Sequence, residues 1–165
     1  MTPAEFVTKV IEPGASFLEA MTGTTSPRPA RRWLLAVSMQ ESALAHRFQV
    51  LANGAAGAAR GWWQFEQGGG VAGVLRHATS RPRILVCCDA MGVRAEPAAL
   101  WRAIEGNDLL AYACARLLLL TDPGPVPETE GAAWACYADR LWRPGKPHPD
   151  KWPGNWDAAG AALGL

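Results

Sequence analysis

Apolar side chains recur at helical spacing along most of the chain, and one polar residue breaks the pattern. At about 100° per residue, Trp33, Leu34, Val37, Glu41 and Leu44 share a face, so a carboxylate stands where Leu or Val is expected. Leu35 and Met39 lie on the opposite side, which predicts a helix buried nearly all round. Ser26-Pro27-Arg28-Pro29 supplies its start, since proline is tolerated in a first turn, and the pattern runs to about Ser42.

Other helices follow from the same periodicity. Thr2-Pro3 opens one with Phe6, Val7, Val10 and Ile11 on one side; Pro13-Gly14 is expected to interrupt it before Phe17, Leu18 and Met21 resume, giving a broken pair. Pro82 to Met91 and Pro97 to Glu105 read as helices ended by Gly92 and Gly106. Asn107 or Asp108 can cap the next, whose Leu109, Leu110, Ala113, Leu117 and Leu120 make it the most hydrophobic in the chain and the expected spine of the core. Thr129 caps a helix reaching Trp142, Arg143 to Pro149 is a stiff extended segment, and a short helix from Asp157 to Leu163 follows.

Between these helices the period changes. Asn53-Gly54 signals a tight turn, and Ala55 to Gly61 carries side chains too small to hold a helix by packing, so a β-hairpin or extended excursion is expected. In Gly61-Trp62-Trp63-Gln64-Phe65-Glu66, alternation would send Trp62, Gln64 and Glu66 to one face and Trp63 and Phe65 to the other. Gly68-Gly69-Gly70 allows a reversal into a helix containing Val71, Val74 and Leu75.

A length of 165 residues with 49% hydrophobic content suits one domain with a real core. Residues 1–165 are read as that single domain, with 1–26 an N-terminal helical segment and 143–165 a Pro- and Trp-rich tail packed on it. Lys+Arg 16 against Asp+Glu 15 leaves a formal charge of +1. That balance argues against nucleic acid as the partner, while leaving room for a local patch that helps hold an anionic polymer. Cys87, Cys88, Cys114 and Cys136 form no CxxC pair and have no histidine at ligand spacing, so they read as buried thiols, and neither a metal nor another cofactor is expected. No stretch has the form of a secretory leader or the length of a membrane span, so the expectation is a soluble monomer that does not insert into membranes.

The chemistry centres on Glu41. Taking a carboxylate out of water favours its neutral form and raises its pKa, as a general acid needs near neutral pH. The structural reading beside it is an ion pair with Arg31, Arg32 or Arg47.

A helix ending Glu41-Ser42, a small-residue excursion and then Gly61-Trp62-Trp63-Gln64 resembles the lysozyme superfamily, most closely goose-type lysozymes and soluble lytic transglycosylases. In that family Glu-Ser ends the catalytic helix and a Gly-Leu-Met-Gln-type motif lines the groove. A late Ala-Tyr-Asn motif is matched here only by the Tyr of Ala135-Cys136-Tyr137-Ala138, Ala138 replacing Asn. The resemblance covers roughly residues 27 to 142, and the Ala-rich tract before Gly61 and the Tyr137 to Pro147 tail also look like phage lysis proteins.

What the resemblance implies is a mainly α (α+β), lysozyme-like helical domain with a small β-hairpin lining a substrate cleft. It implies cleavage of the β-1,4 bond between N-acetylmuramic acid and N-acetylglucosamine in peptidoglycan glycan strands, by lysozyme or lytic transglycosylase chemistry. Glu41 would be the acid, with Glu66 either a general base or water-positioning group or a solvated strand-end carboxylate. Without a second carboxylate the muramyl C6 hydroxyl attacks and leaves an anhydro product; with one, water does. Ser42, Trp62, Gln64 and Tyr137 would bind substrate: Trp62 as a flat face for a sugar ring, Gln64 through its amide, Tyr137 near the sugar or near Glu41. A phage endolysin released by a holin from the host cytoplasm, or a lysin carried on the virion, would fit. Two other readings stand beside it: a non-catalytic phage structural or wall-binding protein on the same scaffold, and a chitinase-like glycosidase, suggested by Arg60-Gly61-Trp62-Trp63-Gln64.

Overall fold

The computed structural model describes residues Met1–Leu165 and shows a mainly helical fold with a small antiparallel sheet that does not close into a barrel. The chain opens with α1 (Pro3–Phe6), capped by a reciprocal pair in which the Thr2 side chain accepts from the Glu5 backbone and the Glu5 carboxylate from that of Thr2. A π-helical turn, Val7–Ile11, joins it to α2 (Glu12–Thr22).

Pro13-Gly14 therefore does not break the helix. The wide turn just before it takes up the register change, with the Glu12 amide donating to Val7 O, and Pro13, which has no N–H to place in the ladder, follows directly on that turn. Gly14 serves packing instead, because a Cβ there would lie 2.4 Å from Cγ of Tyr112.

The helix carrying Glu41 is α3 (Arg28–Ser42), and every side chain from Trp33 to Ser38 is buried. It ends abruptly because Ala43 and Leu44 both adopt left-handed backbone conformations, φ +48° and +53°. The turn back buries Leu44 and leaves the last helical residues at a surface depression.

Three strands follow. β1 (Phe48–Val50) pairs with β2 (Ala56–Arg60) across the Asn53-Gly54 turn, where Gly54 sits at φ +80°. The pairing carries a bulge, with Phe48 opposite Arg60 and Val50 opposite Ala56. β3 (Phe65–Glu66) adds to the other edge of β2 through Ala59–Glu66 and Arg60–Phe65. The element is thus a three-stranded sheet rather than a hairpin alone.

A π-helical turn, Gln67–Val71, leads into α4 (Ala72–Arg76), α5 (Arg81–Ala90), α6 (Pro97–Gly106) and α7 (Asp108–Leu119). Asn107 caps α7, its Oδ1 accepting from the Leu110 amide at 3.0 Å. Leu110 through Leu119 are all buried, so α7 forms the centre against which α2, α5 and α6 pack.

Thr129 caps α8 (Glu130–Ala135), which continues into the π-helical stretch Cys136–Leu141. A 3₁₀ turn, Pro149–Lys151, then opens α9 (Trp152–Ala162). α9 begins earlier than the sequence pattern suggested because Trp152 and Trp156, one turn apart, both bury against α3 and α8, giving the helix an apolar face that starts at its first residue. No helix is long and apolar enough to cross a membrane.

Candidate active site

Glu41 stands half-buried at the meeting point of two cavities. One, of about 780 Å³, is bordered by the end of α3, β1 and the start of α9; the other, of about 680 Å³, by β3, the glycine turn after it and residues Leu141 to Lys146. Glu41, Gln49 and Gln64 line both, so the two form one elongated groove with these three side chains at its waist.

None of the three arginines that could have paired with Glu41 does so. Arg31 binds Glu12, Arg32 donates to Trp156 O and covers that indole at 4.0 Å, and Arg47 pairs with Asp108. The side-chain partner of Glu41 is Tyr137, whose hydroxyl donates to Oε1 at 2.6 Å. Burial pushes the carboxyl up from 4.5 to about 7, the Tyr137 hydrogen bond pulls the other way, and no neighbouring charge contributes. Oε2 is the oxygen left to carry the proton. The group is therefore a neutral-range acid made by desolvation alone.

Tyr137 is itself held rigidly. Its ring stacks on Trp152 at 5.3 Å with planes 4° apart, and Trp134 tilts against it at 5.6 Å. Burial first, and the facing carboxylate second, raise its pKa well above the usual phenol range, so it remains a donor to Glu41. Trp152, in the tail helix, thus lies directly behind the acid's hydrogen-bond partner.

The Gly61-to-Gln64 segment is a tight turn, and this overturns the alternating pattern expected there. Gly61 takes φ +73°, with Ile104 O only 3.0 Å from where a Cβ would sit. Both indoles turn inward: Trp63 donates from Nε1 to Leu34 O at 2.8 Å, and Trp62 to Asp108 Oδ1 at 2.9 Å. Trp62 is 5% exposed, capped by the Arg47 guanidinium at 4.5 Å and by Phe6 edge-on, and lines neither cavity. It offers no face to a sugar; a turn, unlike a strand, does not send alternate side chains to opposite sides.

Gln64 does reach the groove. Its φ is +49°, an uncommon conformation for a residue with a Cβ, and its Nε2 donates to Gly61 O at 2.9 Å, leaving Oε1 for a ligand. Ser42 also lines the first cavity, but its hydroxyl hydrogen is spent on Ser38 O at 2.8 Å, within its own helix. It can act toward a ligand only as an acceptor. Glu66 is exposed on the rim of the second cavity.

Several groove residues went unnoticed in the sequence. Gln49 projects from β1 to accept the Ala58 amide at 3.1 Å and lies over Gly57, so its position depends on strand pairing. Gln40, beside Glu41, donates to Pro147 O at 2.6 Å and His148 O at 3.0 Å and accepts from Asn155 at 2.7 Å, which ties the segment from Arg143 to Lys151 along the groove. That segment brings Arg143, Lys146 and Lys151 to the rim, none of them in an ion pair. The Pro-rich composition could have flagged a fixed strap, but nothing local says which surface it crosses.

No three His, Cys, Asp or Glu side chains come together in a way that could hold a metal ion, and all four cysteines are free and buried. No protein-family model matches the chain, and no curated protein or solved structure matches it.

Proposed function

We propose that the chain is a peptidoglycan-cleaving glycosidase of lysozyme-superfamily type, with Glu41 as its general acid. The observation that carries this reading is a lone carboxylic acid, poised near pH 7 by burial, bonded through one oxygen to Tyr137 and set midway along an open groove. A groove extending both ways from the acid suits a polymer bound across it rather than a small molecule. The unpaired cations on its rim suit an anionic wall polymer.

In the reaction, the proton on Glu41 Oε2 passes to the bridging glycosidic oxygen as the bond from the muramyl C1 breaks and positive character builds on that sugar. Tyr137 keeps Oε1 fixed and carries part of the developing negative charge. Gln64 Oε1 accepts from an acetamido N–H or a hydroxyl at the same level. The ionised Glu41 then recovers a proton from the attacking nucleophile.

Which nucleophile attacks turns on Glu66. Two carboxylates about 5–5.5 Å apart, as retaining glycosidases use, would raise one another's pKa. Glu66 is exposed and contributes nothing to the shift at Glu41. That argues against Glu66 as a nucleophile at that distance, and the reading taken is Glu41 working alone: the muramyl C6 hydroxyl closes on C1, gives its proton to Glu41 and leaves a 1,6-anhydro end, with Glu66 activating a water from farther off as the alternative that the products decide. The setting proposed is phage lysis or entry, with the protein released through a holin or carried on the particle.

The test uses purified protein on isolated sacculi and on cells with a permeabilised outer membrane, reading turbidity and the mass of released fragments. The expected result is anhydro-muramyl products, with the rate falling by about 10²–10⁴ in Glu41→Gln. Reducing ends that disappear in Glu66→Gln would assign hydrolysis instead. Equal inactivity of wild type and Glu41→Gln would overturn the enzyme reading in favour of a wall-binding or structural protein.

A further inference from the structure

Through its hydrogen-bond partner, Glu41 is linked to a helix far from it in sequence. The Tyr137 hydroxyl lies 2.6 Å from Glu41 Oε1, the Tyr137 ring stacks on Trp152 at 5.3 Å with planes 4° apart, and Trp152 stacks on Trp156 at 6.3 Å and 24°. The Arg32 guanidinium closes the far end, 4.0 Å from the centre of the Trp156 ring. Arg32 and Glu41 both belong to α3, so the column leaves that helix, passes through α9 and returns to it at the acid.

Trp152 is itself pinned from two sides. Arg32 donates to Trp156 O, one turn along α9, and the helix passes so close to that side chain at Gly160 that a Cβ there would lie 2.9 Å from Arg32 Cζ. Trp152 Nε1 donates to Glu130 O at 3.3 Å, at the start of α8, whose π-helical continuation carries Tyr137. Filling a core at this place would need only volume. A flat stack is more specific: conjugation keeps a phenol O–H in the plane of its ring, so whatever sets that plane sets the direction in which the hydrogen is offered. Trp134, at 5.6 Å and 55°, and Trp142, at 6.3 Å and 36°, meet the ring at a tilt, whereas Trp152 lies parallel to it.

We propose that Trp152 is a positioning residue for Glu41: α9 lays its indole along the Tyr137 ring, fixes the plane of the phenol and so holds its hydrogen on Oε1, leaving Oε2 to carry the transferable proton. The bearing on catalysis rests on the general-acid reading of Glu41; the hydrogen bond does not. The Glu41 carboxyl is moved upward by burial and downward by the Tyr137 bond, and none of the charged groups on the groove walls, Glu66, Arg143, Lys146, His46, His148, Asp150 or Lys151, shifts it. A change in how the phenol is aimed is therefore read directly in the titration of Glu41.

The test follows the Glu41 side-chain carboxyl by carbon-13 NMR across pH in the full chain, its signal assigned by its loss in Glu41→Gln, with no reference to activity. Tyr137→Phe is expected to raise the midpoint by about 0.5–1 pH unit, the worth of one hydrogen bond to the ionised form. Trp152→Met, which fills space without a flat ring, is expected to raise it in the same direction and to add nothing in a Tyr137→Phe background. Trp152→Phe should restore the wild-type midpoint. On sacculi the alkaline limb of the turnover profile should move with the titration; a wild type that does not cleave them would remove the glycosidase reading and leave the titrations to decide this one. An unchanged midpoint in Trp152→Met, an equal rise in the Tyr137→Phe background, or a fall toward 4.5 from water admitted beside the acid would overturn the proposal. Should Trp152→Met fail to fold, the wild-type chain still tests it: separate signals for the two edges of the Tyr137 ring are expected, and signals averaged by fast ring flipping would overturn it.

Discussion

The raised pKa of Glu41 is also a statement about stability. Its carboxyl titrates near 4.5 in an ordinary setting and about 7 in the fold, so the native chain holds that proton more tightly than the unfolded one. Below pH 4.5 both forms are protonated and nothing is lost; stability falls as pH climbs toward 7 and stays lower above it. Glu41→Gln keeps an oxygen for Tyr137 but cannot ionise. At pH 8 it is expected to be more stable than wild type by on the order of 3 kcal/mol. At pH 4 the two should melt together. Melts across that range check it, and a pH-independent difference would mean the carboxyl is not desolvated. On the proposed function, the substitution expected to abolish glycan cleavage should thus strengthen the fold, as expected where a site is held against its own stability.

Among the elements, the turn from Gly61 to Gln64 does most to shape the groove. Its two indoles anchor it to Leu34 and Asp108, Trp142 Nε1 donates to Trp63 O at 2.9 Å, and the left-handed Gly61 lets it approach α6 closely enough to aim Gln64. An alanine at Gly61 would adopt a conformation costing about 1–2 kcal/mol for an L-residue. It would also press a Cβ to 3.0 Å from Ile104 O. Gly61→Ala is expected to lower the denaturation midpoint by the equivalent of about 1–3 kcal/mol. An unchanged midpoint would mean that the turn relaxes freely. Gly-x-x-Gln spacing was visible as a motif, yet its geometry was not: a strand and a turn can share these residues, and the turn, closed by the Gln64 amide on Gly61 O, is held by the two indoles bonded to distant Leu34 and Asp108.

Taken whole, the molecule closes its site from a distance in sequence. The strap from Arg143 to Lys151 crosses to the groove because Gln40, itself held by Asn155, donates to it there, and α9 places Trp152 behind Tyr137. Lys146 and Lys151 make no ion pair in the fold, so Lys146→Gln with Lys151→Gln should leave the melting temperature unchanged. Pull-down on sacculi across a salt series should show weaker, less salt-sensitive binding by the double variant, because exposed charges more than about 10 Å apart are screened at 0.1 M. Binding equal to wild type at low salt would remove these lysines from the site. Local sequence alone, through periodicity and the proline and Asn-Gly signals, determined the helix from Arg28 to Ser42, the buried spine of α7, the Asn53-Gly54 turn and the anomalous position of Glu41, since each is written within a few residues. The burial of Trp62, the continuity of α1 into α2 across Pro13, the partners that draw all three arginines away from Glu41 and the union of two cavities at Gln49 and Gln64 were decided only by tertiary structure. Each of those depends on which distant surface meets it, and a carboxyl's pKa is set by how much water that meeting excludes.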